Sequence, residues 1–252
     1  MQQGAEMKEK PITVYLAEGF ASESVSSDWS FLYPRPTNLF SDLTKERAIG
    51  EKSNSFLTCP AFSDITKKTI QYRSPMNASY EYDFTDKENP IVNPISKSFI
   101  SFFPRNKSLA VSNTIFFELR YFMFADEPLE VLFTSPYFSQ SKYTRYATII
   151  PGRFDVGQWF RPYTFEVQPW SSKGEIHIEK DEPLFYAQFQ TDRDIEIKRF
   201  AMNEKIKLMG SACVGTTDLF GRQTLLSRYN MFNRVGLRGK LLTEIKKNII
   251  EE

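Results

Sequence analysis

The stretch Thr114-Ile-Phe-Phe-Glu-Leu-Arg-Tyr-Phe-Met-Phe124 decides the fold class. It is rich in aromatic and β-branched residues. Its charged members, Glu118 and Arg120, stand two apart on one face, with Leu119 and Tyr121 on the other. That is the period of a half-buried antiparallel strand. Runs of the same character lie on both sides, at residues 12–16, 69–73, 78–84, 99–103, 129–134, 146–150, 163–168, 175–178, 184–191 and 195–200. Turn chemistry separates them: Asn89-Pro90, Asp126-Glu-Pro128, Pro151-Gly152 and Asp192-Arg-Asp194 among others. The last of these predicts a tight hairpin between the runs beside it. Many short strands at roughly 8–12-residue spacing predict a sandwich or barrel. The 23 Phe and 12 Tyr suit two aromatic inner faces pressed together.

Outside these runs the pattern changes. Residues 1–10 are polar and read as a flexible N-terminus, residues 18–28 as a Ser-rich loop, and residues 29–33 as a short aromatic strand stopped by Tyr33-Pro-Arg-Pro36. A helical turn is expected near residues 39–48. From residue 57 the chain reads as persistently β. Near Thr224 the period becomes helical: Leu225, Leu226, Tyr229 and Phe232, then Leu241, Leu242, Ile245 and Ile249. This predicts two helices broken near Val235-Gly-Leu-Arg-Gly239. The expected architecture is an antiparallel β-sandwich, jelly-roll-like, over residues 11–220, with helices over 221–252 packed on or beside the sheet.

Composition removes several function classes. In 252 residues, Lys and Arg total 32 and Asp and Glu 31, a net charge of +1 that argues against a non-specific polyanion binder. His177 is the only histidine, so one chain cannot build an iron site with two histidines or a zinc site with two or three. Cys59 and Cys213 are far apart and outside any CxxC pair, which excludes a cysteine-rich zinc site and fits a reducing cytosol. Gly152-Arg-Phe-Asp-Val-Gly157 is followed by Gln158-Trp159, so it lacks the Lys-Ser/Thr of a phosphate loop. A serine triad would have to use His177. In Glu175-Ile-His-Ile-Glu179 it alternates with isoleucines and reads as an exposed strand residue flanked by acids. No apolar run reaches the ~18 residues of a membrane span, and the start of the chain lacks the apolar core of a signal peptide. No cofactor is expected, and no membrane or nucleic-acid partner.

The densest functional stretch is Pro151-Gly-Arg-Phe-Asp-Val-Gly-Gln-Trp-Phe-Arg-Pro-Tyr163. Arg153 and Arg161 could fork onto a carboxylate or phosphate, Trp159 could stack on a ring, and Asp155 completes the set. The commoner reading of such a turn is an inter-sheet corner: the Trp plugs the core, Arg161 pairs with Asp155, and the glycines supply positive φ. The same doubleness holds for Trp170. The tail carries Arg222, Arg228, Arg234, Arg238, Lys240, Lys246 and Lys247 against Glu244, Glu251 and Glu252; it reads as a docking face or, more commonly, as the solvated side of amphipathic helices. Tyr72, Tyr80 and Tyr82 with Arg73 read as the inner face of a sandwich rather than a base-stacking sheet. The acidic pairs Asp126-Glu127 and Asp181-Glu182 each precede proline and read as turns.

Three stretches together, Cys59-Pro-Ala-Phe62 with Tyr72-Arg-Ser-Pro75, Phe154-Asp-Val-Gly-Gln-Trp-Phe-Arg-Pro162, and Asp181-Glu-Pro-Leu-Phe-Tyr-Ala-Gln-Phe-Gln-Thr-Asp192, resemble a family of proteins encoded by marine tailed phages, cyanophage-like myoviruses among them. No activity and no catalytic residue come with the resemblance. It implies a protein made in a bacterial host cytoplasm, acting there or in the virion. The expected function is non-enzymatic: binding of a host protein or a small anionic or aromatic ligand at Arg153, Asp155, Trp159 and Arg161. Two alternatives stand beside it, a virion subunit and a carboxylate-dependent hydrolase or sugar-modifying enzyme on a jelly-roll scaffold. Aromatic content and edge strands also suggest a homo-oligomer.

Overall fold

The computed structural model describes residues 9–18, 33–47, 56–86, 91–93, 100–103, 114–118, 121–139, 141–214 and 225–250. In chain order these hold β1 (Ile12–Glu18), β2 (Thr37–Asn38), α1 (Leu39–Arg47), α2 (Pro60–Lys67), β3 (Thr69–Arg73), β4 (Ala78–Asp83), β5 (Ile91–Asn93), β6 (Ile100–Phe103), β7 (Thr114–Glu118), β8 (Tyr121–Ala125) and β9 (Glu130–Thr134). There follow β10 (Ala147–Ile149), β11 (Gly152–Asp155), β12 (Thr164–Pro169), β13 (Lys173–Ile178), β14 (Pro183–Phe189), β15 (Ile195–Arg199), α3 (Glu204–Val214), α4 (Leu225–Arg234) and α5 (Leu237–Lys247). The fold is mainly β and sandwich-like, with C-terminal helices.

The described strands form four sheets, ordered β15-β1-β8, β10-β12-β7-β6, β11-β9-β14-β3-β2 and β13-β4-β5. Among the described strands every pairing is antiparallel except β1 with β15. All four sheets turn an aromatic face onto one core. Ile12, Val14 and Leu16 of β1 meet Tyr72, Phe117, Phe133, Ile176 and Phe185 of the other three sheets there. Tyr72 lies flat on Phe185, centroids 4.5 Å apart, and meets Tyr121 edge-on.

The sheet built on β1 has a second covered face. Tyr15, Ala17, Phe122 and Phe124 point away from the first core and pack against Phe160, Ile206, Cys213, Tyr229, Phe232, Leu241 and Ile245, most of them from α3, α4 and α5. This explains Tyr121-Phe-Met-Phe-Ala125, where every residue is buried. Tyr121, Met123 and Ala125 serve the strand core and Phe122 and Phe124 the helical one. A strand covered on both sides needs no polar alternation.

Several expectations change. The stretch 114–124 is two strands, β7 and β8, in different sheets, and not one half-buried strand. Residues 119–120 between them lie outside the described residues, as do residues 29–32 of the expected aromatic strand. The 184–191 and 195–200 runs form no hairpin: β14 pairs with β3 and β9, whereas β15 crosses to run parallel to β1. Arg193, at the expected hairpin tip, instead pairs with Glu127 and Glu9 and donates to the Lys10 carbonyl. Two helices interrupt the chain after residue 57. In α2, Pro60 takes the first turn, where its missing N–H is no loss; α3 follows β15. The two predicted C-terminal helices are present, broken at Gly236, which takes a left-handed φ of 71°. Cys59 is exposed and Cys213 buried, both as free thiols. Among the described residues, no helix is long and apolar enough to cross a membrane.

Candidate functional site

The Arg/Trp stretch does not begin as a turn. Residues 152–155 are β11, an edge strand paired antiparallel to β9. The chain then bends through Val156-Gly-Gln158 and returns beneath the helices. Asp155 fixes this bend: its carboxylate accepts from the Leu129 amide at 3.1 Å, the Gly157 amide at 2.9 Å and the Gln158 side chain at 2.6 Å. Gly157 packs so tightly that a Cβ there would stand 2.0 Å from the Glu127 carbonyl oxygen. The stretch does make a corner, but Asp155 holds it through these three donors, and the expected Arg161–Asp155 pair is not formed. Nor do the glycines supply positive φ, which among the described glycines occurs only at Gly236.

Arg153 and Arg161 separate. Arg153 is exposed and pairs with Glu130 across the strand edge at 3.3 Å. Arg161 turns inward, half-buried, and its Nη1 donates to the Tyr229 hydroxyl at 3.4 Å. No carboxylate lies within ion-pair distance of Arg161 among the described residues. Trp159 stacks on Tyr229 and meets Phe154 edge-on at 5.4 Å.

Between these groups lies a cleft of about 300 Å³, walled by Phe133, Phe154, Trp159, Tyr163 and Ile149, with Arg161 and Glu166 as its charged members. Tyr163 is buried; desolvation holds its hydroxyl far above the ordinary phenol range, against a smaller opposing pull from the Arg161 charge. Glu166 accepts a hydrogen bond from the Thr114 hydroxyl. Of the four residues expected at the site, Trp159 and Arg161 line the cleft, whereas Arg153 and Asp155 stand outside its wall. Phe133 and Tyr163 also line the cleft, and Tyr229 backs it through Trp159 and Arg161. Phe133 and Tyr229 read in sequence as ordinary core positions and Tyr163 only as the end of the Arg/Trp stretch; packing of separate elements brings them together.

The other candidates resolve differently. Tyr72, Tyr80 and Tyr82 are buried and face the strand core, so no base can stack on them. In the tail, Arg238 is no solvated charge. Its Nε donates to the Gly157 carbonyl at 2.6 Å and its Nη2 to the Asp126 carbonyl at 2.8 Å, and the guanidinium lies over the Phe124 ring. It ties α5 to the bend that Asp155 anchors. Asp181, in a left-handed turn with φ of 64°, confirms its acidic pair as a turn. No cluster of three or more His, Cys, Asp or Glu placed to hold a metal occurs among the described residues. Comparison with protein-family models, curated proteins and solved structures finds no match for this chain.

Proposed function

We propose that the chain is a non-enzymatic binding protein and that the Trp159–Arg161 cleft holds a small, flat, anionic ligand, an aromatic carboxylate in its simplest form. The observation that carries this is Arg161: a half-buried guanidinium at the wall of an aromatic cleft, with no carboxylate partner among the described residues. Removing a charge from water is costly unless it is paired, and a ligand carboxylate matches the guanidinium fork. Trp159, Phe154 and Tyr163 offer ring surfaces for the flat part. At about 300 Å³ the cleft sits at the low end of ligand pockets and suits a single ring. A carboxylate-dependent hydrolase is disfavoured, because among the described residues the wall presents Glu166 alone where that chemistry uses a pair. Together with the resemblance to marine tailed-phage proteins, this supports a phage-encoded factor working in the host cytoplasm through a small ligand or a host protein presenting such a group.

Calorimetry against a panel of benzoate-type acids and their amides tests the reading. The acids should bind better than the amides, and Arg161→Ala should weaken them about tenfold or more, the value of one lost charge-assisted hydrogen bond. Arg153→Ala should change nothing. Equal binding of acids and amides, or full binding by Arg161→Ala, would overturn it.

A further inference from the structure

The larger opening lies elsewhere and has a different chemistry. A cleft of about 640 Å³ separates β13 and the start of β4 from the short helical turn Tyr143–Arg145; Asn77, Ser79, His177 and Glu179 line one side, Lys142, Arg145 and Tyr146 the other. Both sides are firmly built. In β13, Ile176 and Ile178 point into the core, so Glu175, His177 and Glu179 point out by strand alternation. Ser79 stands opposite His177 in the β13–β4 register. Its hydroxyl donates to Glu175 Oε1 at 2.6 Å and lies 3.0 Å from His177 Nδ1, while His177 Nε2 is 3.2 Å from Glu175 Oε2. Across the cleft, the fully buried Tyr143 anchors the turn by donating to the Leu184 carbonyl, and the Ser141 hydroxyl donates to the Pro183 carbonyl at 2.6 Å.

The charges are unequally spent. Lys142 pairs with Glu179, and His177 and Ser79 share Glu175. Arg145 is exposed and has no side-chain partner among the described residues. Beside it two large rings face solvent: Tyr146 is 43% exposed and Trp170 63%. Ala147 pairs with Pro169, so the next position sets Tyr146 opposite Trp170, and the Trp170 amide donates to the Tyr146 carbonyl at 2.8 Å. The indole N–H donates to the Thr144 carbonyl at 3.3 Å, which holds that ring to the turn.

We infer that this cleft is a second binding site, independent of the Trp159–Arg161 cleft, and that it takes an acidic saccharide: a sugar carrying a single carboxylate. Hydroxyl-rich ligands need donors and acceptors in close alternation, and the Asn77 amide, Ser79, His177, Arg145 and the carboxylates provide them. Exposed Tyr146 and Trp170 suit the C–H faces of a pyranose ring. Among the described residues that line the cleft, Arg145 is the one cation without a side-chain partner, and it matches one negative charge. A multiply charged phosphate ligand would meet Glu175 and Glu179 with too little positive charge to offset them. The volume admits one or two sugar rings.

Three probes, a uronic-acid disaccharide, its neutral counterpart and glucose 6-phosphate, test the assignment by calorimetry and tryptophan fluorescence. The uronate should bind about tenfold more tightly than the neutral sugar. Arg145→Ala should erase that preference, Tyr146→Ala should weaken both sugars, and Arg161→Ala should leave both untouched. All three substitutions are at the surface or at the other cleft, and circular dichroism checks their fold. No uronate binding, equal binding of the neutral disaccharide, tighter binding of the phosphate, or loss on Arg161→Ala would each overturn the inference. The last would move the ligand to the first cleft.

Discussion

Trp159 and Tyr229 lie face to face, ring centroids 4.1 Å apart and planes 16° from parallel. One belongs to the connection between β11 and β12 and the other to α4, so this stack joins the β layer to the helical tail. Trp159 also lines the Trp159–Arg161 cleft. Stability and the shape of that cleft are therefore linked at this stack. In a denaturation cycle, Trp159→Ala and Tyr229→Ala should each cost about 2–4 kcal/mol, with a coupling of about 1 kcal/mol. Additive losses would show that the rings do not support one another.

Arg238 should prove the most costly tail cation to replace. Its hydrogen bonds to the Gly157 and Asp126 carbonyls are made by a charged donor in a partly buried place. Arg238→Met should lose about 2–3 kcal/mol in urea unfolding, whereas Arg234→Met, at an exposed position, should stay within about 0.5 kcal/mol.

Two glycines should respond in opposite senses. Gly157→Ala forces a Cβ to 2.0 Å from a backbone oxygen and should abolish soluble folded protein. Gly239 stands in α5 with nothing within 4 Å of an added Cβ, so Gly239→Ala should stabilise by about 0.5–1 kcal/mol, read as a raised melting temperature.

Alkali should unfold the protein steeply. Burial holds the hydroxyls of Tyr72, Tyr121, Tyr143 and Tyr163 far above the phenol range and pushes Tyr186 up to about 12. A folded value raised above the unfolded one gives stability that is whole below about pH 10 and drains away as pH climbs through the raised values. Phenolate absorbance should therefore rise in two stages: exposed tyrosines first, then the buried set together with the loss of near-ultraviolet dichroism. A single smooth titration with the fold intact would contradict this.

The thiols should differ in the same manner. Cys59 is exposed, whereas Cys213 is buried and its thiol is pushed up chiefly by desolvation. An aromatic disulfide reagent should titrate one thiol at once and the second only in denaturant.

Legibility in the sequence followed covering. Where one face of a strand meets water, as at Glu175-Ile-His-Ile-Glu179, the alternation is plain and β13 can be read correctly. Where both faces are covered, as at Tyr121–Ala125, the alternation vanishes, and nothing local tells that a second strand in a second sheet has begun. The partner of β15 was hidden for a related reason: a short turn favours a hairpin locally, but the apolar edge of β1 competes for the strand over a long range. At the site, residue types that suggest recognition could be seen in residues 151–163. Which of them face a cleft could not, because Arg153 and Arg161 differ only in what packs around them. Arg238 and Tyr229 looked like helix-face residues, and only docking of the tail gave them partners.

The parallel pairing of Ile12–Leu16 with Ile195–Arg199 has a consequence for biosynthesis. Thr13 and Glu196, bonded across that seam, stand 183 residues apart. At the usual elongation rate of about 5–20 residues per second, the first strand leaves the ribosome roughly 10–40 s before its neighbour. Its other face waits longer still, for helices translated after that. The apolar faces of residues 12–18 therefore stay uncovered in the growing chain until residues 195–199 and the helices after them have been made, and folding of this sheet is a late, long-range closing event.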